Sequence, residues 1–254
     1  MTHTTPIARQ RRHTLYFLDY AKSFAPVFLD TEVDMTAVRD HRHSGVRHSW
    51  VSYVLYAAGR VLREHPEANA AVSGRRWPKL TRHDSVHAKL TLDRRLDEQR
   101  VVLSAVLPDV HTASLADIQQ RLEHYRDADP GQGPEFARVR ALHRLPAPIG
   151  ALAFRLATRS PRGRAKTMGT VAVTSLGHRA VDGFHSVGGT TVTLGVGRVL
   201  DRPVVREGKV TVAPVMRLSL AFDHRVIDGA EAADVLTELK AALEEFKSGE
   251  AVAG

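Results

Sequence analysis

The chain has 254 residues, 43% of them hydrophobic, enough for one large packed domain, and no Pro/Ser/Gly linker divides it into two. It has no cysteine, which excludes disulfides, thiolate metal sites and cysteine nucleophiles and leaves a serine, a histidine or a bound cofactor to carry any chemistry. The net charge of +8 is spread without repeats or interleaved aromatics, which argues against a nucleic-acid face and for attraction of a polyanionic small molecule.

The amino terminus (MTHTTPIARQRRH) has no cleavable apolar core, and no eighteen apolar residues run together, so a cytoplasmic protein is expected. Residues 7–24 read as a basic helix with Leu15 and Leu18, stopped before Pro26, and 27–35 as a strand. Ser49 is a good N-cap for a helix over 50–64, with Val51, Val54, Leu55, Ala58 and Leu62 on one face. In the HPEANA that follows, Asn69 reads as a turn former. Strands are expected at 86–92 and 100–107. Ser114 opens a helix whose stripe is Leu115, Ile118, Leu122 and Tyr125. Residues 127–166 then bring a Pro/Gly turn and basic, apolar helical sequence. A membrane-surface helix is one reading. A lid or subunit contact is preferred, because Pro146 and Pro148 break the stretch into short pieces.

Residues 169–177, GTVAVTSLG, form a β-branched strand over 170–174 that ends at the hydroxyl pair Thr174-Ser175. A further strand at 190–199 holds Gly195 and Gly197, without the third glycine and helix of a dinucleotide fingerprint. A hairpin turns at Glu207-Gly208. Leu218, Leu220 and Phe222 alternate as in a half-buried strand. After the turn DHRVIDG, the residues Ala232, Val235, Leu236, Leu239, Ala242, Leu243 and Phe246 make one helical stripe. Asp228 with Glu231 completes a capping-box pattern, and Gly229 allows a sharp turn. His224 thus stands at a strand end among polar neighbours, where a general base is useful. His178 opens a second copy of the same pattern, His-x-x-x-Asp-Gly, ending at Gly183. His224 is preferred because only its copy has the strand before and the long apolar helix behind.

The run FDHRVIDGA with its helix resembles the carboxy-terminal motif of the dihydrolipoamide acyltransferases, the E2 cores of 2-oxoacid dehydrogenase complexes, which share a fold with chloramphenicol acetyltransferase. HPEANA resembles that family's His-Pro-Glu-x-Asn, GTVAVTSLG its Gly-x-x-x-x-Ser-Asn-Leu-Gly, and TLGVGR its Ile-Leu-Gly-Val-Gly-Arg. Val33-Asp34-Met35 resembles its first strand end. The stretch 127–166 departs from the family, where the connection is short.

The resemblance implies an α+β fold, a mixed β-sheet flanked by helices, as a single acyltransferase domain over 1–254. It implies a homotrimer with active sites at subunit boundaries and coenzyme A thioester, acetyl-CoA first, as co-substrate. His224 and Asp228 carry over as catalytic. So does Thr174, in the place of a Ser or Thr that donates to the tetrahedral intermediate on a neighbouring subunit's histidine. Ser175 stands where asparagine is usual. Ser175 and His178, with His185, are candidates for the substrate side. No lipoyl-lysine motif or Ala/Pro-rich linker occurs, and no metal or covalent lipoyl group is expected. Three functions follow. The preferred one is a free-standing O-acyltransferase acting on a small-molecule hydroxyl, as in tetronate or polyketide natural-product pathways, with acyl-CoA or an acyl carrier protein as donor. The others are an E2 core served by a lipoyl domain in trans, and a non-catalytic scaffold of the same fold.

Overall fold

The computed structural model describes residues 2–45, 47–74 and 76–247. A single 3-10 turn at Arg9–Arg11 leads into α1 (Arg12–Ala21). Ile7, expected inside this helix, lies outside it and is exposed. There follow β1 (Pro26–Asp34), α2 (Thr36–His43), α3 (Trp50–Glu64), β2 (Ala70–Ser73), β3 (Lys79–Arg82), β4 (Ala88–Leu96), β5 (Gln99–Leu107) and α4 (Leu115–Asp127). The stretch expected as an insert folds as a 3-10 turn and three helices, α5 (Ala137–Arg144), α6 (Ala147–Arg159) and α7 (Pro161–Met168). The chain ends with β6 (Val171–Ser175), β7 (Val192–Arg206), β8 (Lys209–Asp223) and α8 (Gly229–Glu244).

Six strands make one mixed sheet in the order β1-β8-β7-β6-β4-β5, with β6 parallel to both neighbours and every other pairing antiparallel. β2 and β3 form a separate hairpin. The core lies between this sheet and the helices α3 and α8. Val54, Leu55 and Leu62 of α3 meet Val235, Leu239 and Leu243 of α8 and Leu194, Leu218 and Phe222 of the sheet, all buried. Each such side chain stabilises the fold by about 1.5–3 kcal/mol. Ala242, expected on the α8 stripe, is exposed, and Phe246 packs beyond the helix end on Tyr53 and His41.

Two caps form as their sequences predict: Ser49 accepts from Ser52 N at 3.1 Å, and Ser114 and Asp117 close a capping box. The β7–β8 ribbon turns at Glu207 and Gly208, both with positive φ, and exposes Val205, Val210 and Val212. A register shift between Val196 and Val199 breaks the ladder at Gly197. A Cβ on Gly197 would lie 1.9 Å from Asp182 O, so only glycine lets the 176–184 turn close over the sheet there.

Lys89 of β4 is buried, with its ammonium hydrogen-bonded to Gly188 O and 4.6 Å from the Phe17 ring centroid. Burial pushes its pKa from 10.5 down to about 7. The unfolded chain therefore binds more protons than the folded one between those values, and stability rises with pH across that window. In Lys89→Met that rise, at most about 1.4 kcal/mol per pH unit, is expected to vanish, with a gain in stability at neutral pH. Urea melts at pH 7 and pH 9 check it. Equal slopes in both proteins would contradict it.

Candidate active site

β8 ends at Asp223, and the chain turns sharply there. Asp223 is 2% exposed and bidentate with Arg225, at 2.9 Å to Nε and 2.5 Å to Nη2. It also accepts from Ala25 N at 3.3 Å and Arg225 N at 3.2 Å, and Arg225 lies 4.8 Å over the Phe24 ring. A buried carboxylate needs such pairing. Here the pairing ties the turn to the end of α1.

His224 rides on this clamp. Its backbone N donates to Ala25 O at 2.9 Å, its ring packs 5.5 Å from that of Phe222, and its Nδ1 is 3.2 Å from Asp228 Oδ1. The side chain is 47% exposed, so a substrate can reach it. The Asp228 contact places the ring proton on Nδ1 and leaves Nε2 as the basic atom.

This corrects the expected capping box. Asp228 occupies the N-cap position of α8 but makes no side-chain cap bond. Its partner is His224. Glu231 turns instead to His65 Nδ1 at 2.8 Å, and Glu238 meets His65 Nε2 at 3.1 Å. Burial disfavours charge on His65, but these two carboxylates outweigh it and hold its pKa above the ordinary value. Gly229 is not in the left-handed region, and a Cβ there would meet open space, so the turn does not require glycine at that position.

Thr174 and Ser175 are the last two residues of β6, paired with Gly195 and Val196 of β7. Ser175 thus lies in the strand and not past its end, and its Oγ accepts from Gly177 N at 3.4 Å. In the ladder Val171 aligns with Val192 and Val192 with Phe222. Thr174 is three residues from that row in one direction, and His224 is two residues beyond it in the other. At about 3.3 Å per residue they are separated by roughly 16 Å along the strands, and by two strand spacings across them. Within one chain they cannot both reach one reacting carbonyl.

His178 is exposed in the turn after β6, at the Thr174 end of the sheet. Among the described residues no bond joins it to Asp182, whose carboxylate is held by Arg198 at 2.5 Å and Arg202 at 3.0 Å, with its pKa below the ordinary value. The first copy of the motif is therefore a structural turn. His185 is exposed, its ring 5.3 Å from that of Phe28 on β1. Asn69 is structural, 1% exposed and donating to His83 O and Ser85 O.

Sequence reasoning missed the wall beside the clamp. Phe24, His83, Arg164, Thr170, Asp223 and Arg225 surround a cavity of about 20 Å³, room for one water. Arg164, from the insert, reaches Tyr20 Oη at 3.2 Å and Val72 O at 2.8 Å. Burial and this guanidinium lower the pKa of His83. Opposite charges on either side of His224 in Asp-His-Arg were the signal for the clamp.

A mixed sheet flanked by helices, with a histidine on the turn between the strand next to one edge, β8, and a long helix, is the architecture of chloramphenicol-acetyltransferase-like folds. Chloramphenicol acetyltransferase itself superposes with a TM-score of 0.54 at 16% identity, over 95% of this chain and all of the other. A structure of probable dihydrolipoamide acetyltransferase from Listeria monocytogenes superposes with a TM-score of 0.73 at 18% identity, over 99% of this chain and 98% of that one. In sequence, residues 149–249 match the family of 2-oxoacid dehydrogenases acyltransferase (catalytic domain). The dihydrolipoyllysine-residue succinyltransferase component of the Escherichia coli 2-oxoglutarate dehydrogenase complex is 26% identical over 94% of this chain and 54% of its own length. The carboxy-terminal part of the chain thus resembles this E2 catalytic-domain family, the whole chain shares its fold, and it spans about half the length of that relative.

Proposed function

We propose that the chain is an acyltransferase of the E2 type, one catalytic domain that assembles as a homotrimer. In this reading it moves an acetyl or similar group from a coenzyme A or carrier thioester to a hydroxyl of a small-molecule acceptor, as natural-product pathways require. His224 Nε2 removes the acceptor's hydroxyl proton, and the oxygen attacks the thioester carbonyl. Thr174 of the adjacent copy donates to the oxyanion, with Ser175 and His178 on the substrate side. The C–S bond then breaks, the sulfur leaves as thiolate and takes the proton back from His224. The products are an ester and a thiol. Asp228 holds the imidazole in the tautomer that this needs. The exposed valines of the β7–β8 ribbon support a subunit contact, since they put apolar surface on a projecting edge.

The observation that carries the choice of acceptor is the insert. Arg164 and Ala165 of α7 line the small cavity at the Asp223–Arg225 clamp that carries His224, so helical sequence of the 127–166 stretch packs against that clamp. Such a wall suits a compact acceptor more than a swinging lipoyl arm. The second reading, an E2 core, draws on the relatives, which are dihydrolipoyllysine-residue acyltransferases. Incubation with acetyl-CoA and either hydroxylated metabolites or dihydrolipoamide decides between them. Ester formation is expected, with dihydrolipoamide turned over at least about tenfold more slowly. Equal or faster use of dihydrolipoamide would restore the second reading.

A further inference from the structure

One face of α6 is anchored and another is bare. Gly150 and Phe154 lie against Tyr16 and Tyr20 of α1. Ile149, Leu152 and Leu156, at helical spacing, are 53%, 55% and 58% exposed. A row of large aliphatic side chains in water marks an interaction surface more often than a scattered one does. The row borders a groove of about 640 Å³ between α6 and the end of α1, lined by Asp19, Ser23, Leu152, Arg155, Leu156 and Arg159.

The charge around the row is mostly basic, and the carboxylate in the groove lining, Asp19, is already paired with Lys22. From residue 137 to 166 the chain has eight Lys/Arg and no Asp/Glu. Arg155, Arg159 and Arg162 are exposed, and among the described residues no carboxylate pairs with them. Elsewhere arginines such as Arg198, Arg206 and Arg225 hold carboxylates. The groove also ends at Ser23, two residues before Ala25, whose carbonyl fixes His224. Two residues of chain span at most about 8 Å.

We propose that this face docks an acidic carrier protein that delivers the acyl thioester, the donor rather than the acceptor, to His224 on a flexible arm. The proposal rests on the acyl-transfer reading above. An acidic surface with an apolar ridge satisfies both the unpaired arginines and the bare leucines, and docking there leaves the arm a short reach. A second copy meeting this face with its own would set cation against cation. A bilayer would leave the concave part of the groove unfilled.

The test uses the whole chain with an acidic acyl carrier protein bearing acetyl-phosphopantetheine, and acetyl-CoA as the carrier-free donor. Titration is expected to give saturable binding that weakens at least about tenfold between low and high salt. The same loss is expected in Arg155→Glu/Arg159→Glu and in Leu152→Ser/Leu156→Ser, with acetyl-CoA turnover within about twofold of the parent. The proposal would be overturned by binding weaker than about 1 mM, by unchanged binding in both variants, or by loss of the oligomer in the leucine variant, which would make the face a subunit contact. Co-sedimentation with phosphatidylglycerol vesicles but no carrier binding would overturn it in favour of a membrane surface. If acetyl-CoA is not used by the parent protein, the acyl-transfer reading fails, whereas the binding titration still judges the docking face by itself.

Discussion

Replacing His224 by alanine is expected to lower turnover with acetyl-CoA by about 10² to 10⁴ and to leave donor binding largely intact. The reasoning is local. The ring is half exposed and, among the described residues, its only polar partner is Asp228, so it contributes little to the fold. The structural work at that position is done by the backbone, through His224 N and Ala25 O, and by the Asp223–Arg225 clamp on either side. His224→Ala keeps all of these, and an unchanged thermal midpoint would confirm it. His178→Ala is the matched control, because His178 lies in a turn whose aspartate is already committed to Arg198 and Arg202. It is expected to keep most of the rate. Steady-state kinetics on both variants settle the matter. The reverse pattern would move the reactive base to the first motif.

How much of this was legible in the sequence depended on whether a residue's partner was near in the chain. Ser49 and Ser114 find their partners three residues on, and both caps were readable. Asp228 and Glu231 have the same spacing, yet each carboxylate goes to a histidine, His224 and His65. Here tertiary pairing overrode a local pattern. α2 went unnoticed because only Val38 of its eight residues is buried, which leaves no stripe to see. α6 misleads in a different way. Its most regular apolar row faces out, while the contact with α1 runs through Gly150 and Phe154, so periodicity alone does not say which side is packed. The separation of Thr174 from His224 was beyond the sequence altogether. It follows from the ladder register.

That separation gives the last expected result. If each site takes its base from one copy and its oxyanion donor from the next, Thr174→Val and His224→Ala damage different halves of the same site. Thr174→Val alone is expected to lower turnover about 10² to 10³, since a buried transition-state charge loses a donor while the β-branched shape that suits the end of β6 is kept. Each single variant would then be nearly inactive as a homotrimer. Unfolding the two together and refolding them at equal concentration gives mixed trimers in which some boundaries join an intact His224 to an intact Thr174. For random assembly about one quarter of boundaries qualify, and activity near a quarter of the parent's is expected. A same-chain site predicts no recovery at all, because no chain in the mixture carries both groups. Light scattering on the refolded sample guards the interpretation. Full-sized trimers without recovered activity would show that the roughly 16 Å along the strands is not bridged by a neighbouring copy, and the shared-site mechanism would have to be given up.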